Sequence, residues 1–396
     1  MSANVKTGVW ITNEIYEKIN AGFLNYAAPG GDVDAIVDFT YWTWGGQNYG
    51  DAGNNCGGYF ATSSPIQLPG SNWQCLAASS TNTYYAIKSD RTLWTWGSGG
   101  YGLLGLNSIT DRSSPTQIPG TSWNCISGGT PTAGAIKTDG TLWMWGCNVD
   151  GRLGIGTNVG VAYSSPVQIP GTAWCHFDGG GYMSTALKTD GTLWLWGGGA
   201  AGSGLNNTIS YSSPVQIPGT SWVESYGGGT VMARKTDNTL WAWGSNAGGD
   251  AANLGINSIA CTYVSSPVQI PGTAWAEVYN PSPSQNTFAR KTDGTLWAWG
   301  RNALGALGLN IVQSPTCCAV SSPAQIPGTN WCILTERAMD NGAGAIKSDG
   351  TLWIWGYSNF GRVPPGTTSS PIQVPGTSWW RLAGSNNETA HALKCP

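Results

Sequence analysis

Short apolar runs separated by turn residues make up most of the chain. A complete example is AIKTDGTLWMWG at Ala135–Gly146, where two apolar runs flank an Asp-Gly pair. Asp-Gly in this position is a strong signal for a β-hairpin. In the second run Trp143 and Trp145 share one face while Leu142 and Met144 share the other, because side chains alternate along a strand. Both faces are apolar, which predicts a strand buried on two sides.

The hairpin phrase recurs along the chain together with two further markers in a fixed order. SSPxQxPG follows each WxWG element, and a Trp stands three residues after its Gly, as in SSPVQIPGTSW at Ser212–Trp222. Each unit is predicted to contain four strands, the last starting at that Trp, as in Trp123–Ser127. The period of roughly 50 residues is typical of repeat proteins whose units pack on their neighbours. The WxWG element ends at Gly45, Gly97, Gly146, Gly197, Gly244, Gly300 and Gly356.

Seven four-stranded units, each apolar on both faces, predict an all-β fold: a closed seven-bladed β-propeller of antiparallel blades. The first WxWG element, Trp42–Gly45, lacks the usual KTDGTL before it, and the last unit stops at HALKCP. Each end of the chain supplies the half that the other lacks. We therefore expect strands from both termini to complete the seventh blade and leave no free sheet edge. The propeller is expected to span residues 39–396, after an attachment segment at residues 1–38.

These phrases resemble the regulator of chromosome condensation repeats. The matching elements are DGTLWxWG, a following Leu-Gly (Leu153–Gly154, Leu254–Gly255, Leu307–Gly308) and SPxQI. The resemblance covers residues 39–396 and implies a seven-bladed propeller. Relatives with guanine-nucleotide exchange activity carry an inserted wedge, whereas here the loops between WG and SSP have similar sizes. One fold hosts many functions, so the resemblance predicts architecture rather than activity.

Charge and hydropathy exclude several classes of protein. The formal net charge is -3 and no basic cluster stands out, which argues against a nucleic-acid partner. No apolar stretch is long enough for a membrane span, and the start MSANVKTGVWITNE does not look like a secretory signal.

Candidate catalytic chemistry is sparse. His176 and His391 are the two histidines, and neither lies in a catalytic or metal-ligand motif. GSGGYG at Gly97–Gly102 matches a dinucleotide fingerprint, but it lies in an antiparallel repeat where no such site forms. The cysteines are interpreted as structural thiols, and 21 of the 23 tryptophans occupy repeat positions. Gly-rich slots at Gly128–Gly129, Gly179–Gly181 and Gly227–Gly229 are expected to let strands crowd near the axis. The lysines before the turns are expected to form a solvated ring on one face: Lys88, Lys137, Lys188, Lys235, Lys291, Lys347 and Lys394. We expect no enzyme activity, no cofactor and no metal.

Residues 1–38 do not follow the repeat. TNEIYEKINAGFL at Thr12–Leu24 has helical apolar spacing behind a Thr or Asn cap, and APGGD follows as a helix breaker. A helix this short needs a docking surface, which is either the propeller or a partner. The candidate anchor residues are Trp10, Ile15, Tyr16, Ile19 and Phe23.

Alternating strand direction sorts the loops onto two faces of the ring. The KTDG and PGTSW turns share one face and barely vary, whereas the WG-to-SSP loops and the loops entering each AIK strand share the other and vary in length and content. Variable loops on a rigid frame are the usual place for recognition, although these could equally be plain polar loops. The candidate binding residues are Asn48, Tyr49, Tyr101, Arg112, Arg152, Tyr163, Tyr211, Tyr263, Arg301, Tyr357 and Arg362.

The leading hypothesis is a non-enzymatic structural and binding propeller. Near-identical repeats, low charge and a short N-terminal anchor are similar in overall style to bacteriophage virion appendages or decoration proteins. Residues 1–38 would then bind virion subunits, and the variable loops would contact a host surface protein, a glycan or a neighbouring subunit. The alternative is a cytoplasmic interaction propeller that regulates a partner such as a small GTPase.

Overall fold

A computed structural model describes residues 40–47, 50, 53–55, 60–68, 70–79, 81–157, 160–246, 252–258, 263–279, 286–311, 319–334, 342–356, 368–384 and 389–394. Over these residues the strands form seven antiparallel sheets of four strands each. This confirms the predicted all-β propeller. The predicted N-terminal helix, the anchor residues and the 1–38 segment lie outside the described residues.

The strands run in chain order from the inside to the outside of each blade. The N-terminal strands are β1 (Thr40–Gln47) and β2 (Phe60–Gln67). Blade 1 contains β3 (Trp73–Ala78), β4 (Thr83–Lys88), β5 (Leu93–Gly97) and β6 (Arg112–Gln117). Blade 2 contains β7 (Trp123–Gly128), β8 (Thr132–Lys137), β9 (Leu142–Cys147) and β10 (Ala162–Gln168). Blade 3 contains β11 (Trp174–Gly179), β12 (Met183–Lys188), β13 (Leu193–Gly197) and β14 (Tyr211–Gln216).

The remaining blades repeat the same order. Blade 4 contains β15 (Trp222–Tyr226), β16 (Thr230–Lys235), β17 (Leu240–Ser245) and β18 (Tyr263–Gln269). Blade 5 contains β19 (Trp275–Tyr279), β20 (Asn286–Lys291), β21 (Leu296–Arg301) and β22 (Ala319–Gln325). Blade 6 contains β23 (Trp331–Leu334), β24 (Gly342–Lys347), β25 (Leu352–Gly356) and β26 (Thr368–Gln373). The last strands are β27 (Trp379–Gly384) and β28 (Thr389–Lys394).

Blade 7 is built from both ends of the described chain. Its strand order is β27, β28, β1 and β2, with Thr40 paired to Lys394 and Gly45 paired to Thr389. The innermost strand β27 in turn contacts β3 of blade 1. The predicted closure of the ring by strands from both termini is confirmed.

One detail of the predicted unit is wrong. The strand that begins at the Trp after PGTS was grouped as the fourth strand of its own unit. In the sheets, Trp123–Gly128 is the innermost strand of blade 2 and pairs with Thr132–Lys137. The SSP strand is the outermost of its blade, so the chain has to cross to the axis after it and can only open the next blade.

The second Trp of the WxWG element joins neighbouring blades at four described places. Trp196 of blade 3 is fully buried, and its Nε1 donates a hydrogen bond to the carbonyl of Arg152, in the β9–β10 loop of blade 2, at 2.9 Å. Gly154 of the same loop has a positive φ and lies directly against the Trp196 indole, where a Cβ would clash. The Leu-Gly motif is therefore the place where a loop of one blade covers the tryptophan of the next. Equivalent bonds run from Trp145 to Leu103, from Trp299 to Asn253 and from Trp355 to Ala306.

The serines of SSPxQxPG form a second contact between blades. The Ser322 hydroxyl on β22 donates to Asn257 Oδ1 of the preceding blade at 3.1 Å. The backbone N–H of Asn257 donates to the Ser321 carbonyl at 2.8 Å. The same Ser-to-Asn bond joins Ser114 to Asn55, Ser265 to Asn206 and Ser370 to Asn310. We call this Ser-to-Asn hydrogen bond the Ser-to-Asn latch. It explains why the SSPxQxPG phrase hardly varies between repeats.

Around the axis, the inner strands approach so closely that only glycine fits. A Cβ on Gly128 would meet the Ala78 carbonyl of blade 1 at 2.7 Å, and one on Gly129 would meet the Gly179 backbone of blade 3. Gly180 likewise abuts Gly228 of blade 4. The predicted role of the Gly-rich slots, to let strands crowd near the axis, is confirmed.

In the KTDGTLW turn, hydrogen bonds from the threonine fix the aspartate side chain. Asp139 Oδ1 accepts bonds from the Thr141 amide at 3.0 Å and from the Thr141 hydroxyl at 2.7 Å, and that hydroxyl accepts from Trp143 Nε1 at 3.0 Å. Side-chain hydrogen bonding from Thr141 is the largest cause that lowers the pKa of Asp139 below its ordinary value. The same chain of bonds recurs at Asp90, Asp190, Asp237, Asp293 and Asp349, and each of these pKa values is lowered as well.

The repeat lysines lie between two indole rings. The Nζ of Lys137 is 4.8 Å from the ring centroid of Trp123 and 4.5 Å from that of Trp143. Lys88, Lys188, Lys235, Lys291 and Lys347 have the same two-tryptophan contact. The expectation of a solvated ring of lysines is therefore wrong for these six, because the aromatic faces attract the ammonium groups and hold them against the blade.

No helix among the described residues is long and apolar enough to cross a membrane. The helical elements there are short 3-10 turns at the start of four loops, Gly100–Gly102, Val149–Gly151, Gly199–Ala201 and Ala303–Gly305.

Replacing Trp196 by Ala is expected to destabilise the ring strongly. The change empties a fully buried site between blades 2 and 3, and such substitutions cost about 3–5 kcal/mol. The urea midpoint of unfolding, followed by circular dichroism, should fall well below that of the parent. Tyr263→Ala, at an exposed position, is the matched control, and equal midpoints for the two variants would contradict the packing role.

The aspartate turns predict a stability that decreases in acid. Because the folded pKa of each Asp is lowered, its contribution is present above the unfolded pKa of about 4 and is lost as the pH falls through the folded value. Asp139→Asn combined with Asp293→Asn should therefore lose less stability than the parent between neutral pH and pH values of about 3. Urea midpoints measured along a pH series test this; parallel curves would refute it.

Candidate functional site

The topology places the loops on two faces, as predicted. The turn between the second and third strands and the crossing to the next blade share one end of the strands; we call it the constant face. The first loop of each blade and its WG-to-SSP loop share the other end, which we call the variable face. Thus Gly180–Tyr182 and residues 198–210 of blade 3 both belong to the variable face. The two faces differ sharply in what they expose.

Large apolar side chains are exposed chiefly on the variable face. Of the eleven that are exposed in the described part of the chain, eight lie in its loops or at their ends. Ile109 is 70% exposed and Ile209 is 57% exposed, each just before an SSP strand. The others on this face are Tyr101, Val149, Val161, Tyr182, Tyr263 and Ile311. Exposed apolar groups gathered on one face mark an interaction surface.

The described loops of the variable face carry few charges, and Arg112 and Arg301 stand at the ends of the strands beside them. Among its described loop residues, the charged ones are Asp111, Asp150 and Arg152, and the last two form an ion pair at 3.5 Å. A surface of this kind suits an uncharged partner better than a nucleic acid or an acidic protein.

The predicted binding residues fall into three groups. Tyr101 and Tyr263 are exposed, at 58% and 60%. Tyr163 and Tyr211 are half-buried and pack against the core between blades 2 and 3. Arg112, Arg152 and Arg301 are also half-buried. Asn48, Tyr49, Tyr357 and Arg362 lie outside the described residues.

Arg152 is held in place by four neighbours. Its guanidinium carbon lies 5.0 Å from the ring centroid of Tyr182, and its NH2 group contacts Asp150 Oδ2. Its carbonyl accepts hydrogen bonds from Trp196 Nε1 and from the Ser184 hydroxyl at 3.1 Å. Only 13% of the Arg152 side chain is accessible to solvent, so this residue mainly supports the groups around it.

Sequence reasoning missed Tyr182 and the exposed aliphatic residues. Tyr182 is 57% exposed in the first loop of blade 3, which the sequence presented only as a glycine slot. Ile109 and Ile209 look like ordinary apolar residues in the sequence. Both stand shortly before an SSP phrase, and this shared position is the signal that could have identified them.

The histidine and the acidic residues of the inner strands have structural partners. His176 Nε2 donates to the Ser225 carbonyl of blade 4 at 2.8 Å. Asp178 accepts from the Ser127 hydroxyl of blade 2 at 2.9 Å and from the Gly227 amide of blade 4 at 3.0 Å. These bonds join three consecutive blades near the axis.

In blades 4 and 5 ion pairs replace the apolar pairs found at the same positions of blades 1, 2 and 6. Glu224 pairs with Arg234 at 2.8 Å, and Glu277 pairs with Arg290 at 3.2 Å. The other Glu224 oxygen accepts the Val278 amide of the next blade at 3.3 Å. In blade 1 the corresponding pair is Cys75 and Ile87. These charges complete the inner strand packing.

The described residues contain no group of His, Cys, Asp and Glu side chains arranged to hold a metal ion. Burial raises the pKa of the Cys175 thiol to about 11, so this cysteine stays protonated and is a poor nucleophile. A cleft of about 420 Å³ beside Lys291 is lined by Trp275, Trp297 and Gly272, and it belongs to the lysine contact already described.

Comparison with known proteins agrees with the fold. The regulator of chromosome condensation (RCC1) repeat model matches residues 91–128 and 139–187. No curated protein matches the chain in sequence. Prp20p from Saccharomyces cerevisiae, studied for its binding to Gsp1p and histones, superposes with a TM-score of 0.76 at 16% identity, covering 91% of this chain and 92% of that one.

Two further solved structures are similar. Human WBSCR16 has a TM-score of 0.74 at 17% identity, covering 90% of this chain and 98% of that one. Yeast RCC1 (Prp20), in a structure with Kap60, has a TM-score of 0.76 at 15% identity, covering 100% of this chain and 95% of that one. The predicted resemblance to the repeat family thus has a sequence match in two stretches of the chain, and the solved propellers of this kind share its fold.

Proposed function

We propose that the chain is a non-enzymatic binding propeller whose partner is a protein contacting the variable face. The observation that carries this proposal is the gathering of eight exposed apolar side chains on that face. The rigid ring holds its loops by inter-blade bonds, so little ordering entropy is lost when a partner binds.

Two further points support a protein partner. Tyrosine and aliphatic side chains on a charge-poor surface are typical of the centre of protein interfaces, where charged residues are depleted. Prp20p, which has the same fold, was studied for binding to Gsp1p and histones. At 16% identity that likeness extends to the fold, and the partner of this chain has to be found by experiment.

The test compares two sets of substitutions in the full chain. Ile109→Asn, Ile209→Asn and Ile311→Asn together alter the variable face at exposed positions. Thr138→Asn, Thr189→Asn and Thr236→Asn alter exposed positions of the constant face. We expect proteins that the immobilised parent retains from an extract of its source cells, identified by mass spectrometry, to be lost with the first set and kept with the second. Equal retention by both sets would refute the proposal.

The finer alternative is regulation of a small GTPase. It requires contact with a GTPase and accelerated release of its nucleotide, and Gsp1p is a practical probe because Prp20p was studied with it. Mixing the chain with Gsp1p loaded with a fluorescent guanine nucleotide distinguishes the two readings. Faster nucleotide release would favour the regulatory propeller over the binding scaffold.

The proposed location is a bacteriophage virion, with the cytoplasm as the alternative. Its support is the non-repeating segment at residues 1–38, with the candidate anchors Trp10, Ile15 and Phe23. Deleting residues 1–38 is expected to release the propeller from particles while circular dichroism still reports a folded β protein. Mass spectrometry of purified particles measures this, and a deleted chain that stays on particles would contradict the anchoring role.

A further inference from the structure

Three blades meet around one exposed aromatic ring on the variable face. Tyr182 lies in the first loop of blade 3. On one side its ring lies over the Arg152 guanidinium of blade 2, and on the other it approaches Gly229 of blade 4. More than half of the ring remains open to solvent.

The surroundings hold the Tyr182 ring in one place. The Tyr182 carbonyl accepts the Gly198 amide at 2.9 Å, and the Ser184 hydroxyl, two residues on, bonds the Arg152 carbonyl. The Arg152 side chain is itself buried between Tyr182 and Asp150. A stacked cation restricts the ring, so a partner would bind a side chain that is already ordered.

The loop that carries Arg152 also exposes apolar side chains, and its charges cancel. Val149 and Val161 are exposed and lie on the same loop of blade 2, where the Asn148 amide bonds the Val161 carbonyl. Asp150 neutralises Arg152, which leaves no net charge at the site. A neutral partner that offers an apolar side chain fits this surface, and an acidic or basic one does not.

The arrangement differs from that of the other described blades. Blade 3 carries Tyr182 in its first loop. At that place blade 1 carries Thr81 and Asn82, blade 2 carries Pro131, and blade 4 carries Gly228 and Gly229. Of the described arginines between a WG and the next SSP, Arg112 and Arg301 lie in strands β6 and β21, whereas Arg152 lies in a loop. Tyrosine and arginine at the centre of an interface are the residue types that most often dominate binding.

We infer that Tyr182, backed by Arg152, whose loop also exposes Val149 and Val161, is a binding site for a neutral peptide segment of a protein partner that inserts an apolar side chain beside the ring. The inference rests on the proposed function and names the place on the variable face where affinity concentrates. Tyr101 and Tyr263 are equally exposed but are not stacked on an arginine in the described structure, so they serve as controls.

The test selects peptides from a random displayed library on the immobilised full chain and measures their affinities by fluorescence polarisation. We expect most independent peptide families to lose at least tenfold in affinity for Tyr182→Ala and to change less than twofold for Tyr101→Ala and Tyr263→Ala. Arg152→Met should weaken the same peptides, because the ring loses its support. Unchanged thermal midpoints for Tyr182→Ala confirm that the exposed ring is not needed for folding.

Three outcomes would overturn the site: full affinity for Tyr182→Ala, selected peptides that map to the control tyrosines, or a selection that yields no specific peptide. The substitutions that test the proposed function leave Tyr182 intact. A partner lost with that set but retained by Tyr182→Ala would therefore sustain the proposed function and refute this inference alone.

Discussion

A single blade of this protein cannot bury its own two faces. The solution is a buried tryptophan that lies beneath a loop of the preceding blade. Trp145, Trp196, Trp299 and Trp355 all bury an indole and donate its N–H to a loop carbonyl of the blade before. A buried indole N–H without an acceptor is costly, so in these four places the loop has to bring its carbonyl to the indole. The Leu-Gly turn, the Ser-to-Asn latch and the glycines at the axis follow from that requirement.

The same requirement explains how far the sequence predicts the structure. The hairpins, the count of blades and the closure at Thr40 and Lys394 follow from local turn chemistry and from the repeat period. The grouping of the Trp-led strand was wrong because the sequence order of strands does not reveal which edge is innermost. The lysines were also misjudged, because a Lys before a turn looks solvated until Trp123 and Trp143 are seen on either side of Lys137.

The candidate site was less predictable for a physical reason. Repetition identifies the residues that maintain the ring, whereas a binding surface consists of departures from the repeat. Tyr182 is a single departure in a glycine slot, and its meaning depends on Arg152, which is thirty positions away in sequence but adjacent in space. The loops of the variable face were predicted as a region, and contacts between blades identify the individual residues.

The pairing of Thr40 with Lys394 has a consequence for synthesis. β1 and β2 leave the ribosome first, but β1 has no partner on its other side until β28, nearly the last strand, has been made. During translation the first hairpin therefore presents an open sheet edge, and its exposure lasts as long as the rest of the chain takes to appear. Contacts of such long sequence separation form slowly. The Pro and Ser residues of the SSP strand lie on β2, on the opposite side of β1, so the free edge of β1 stays open to pairing with other chains until β28 covers it.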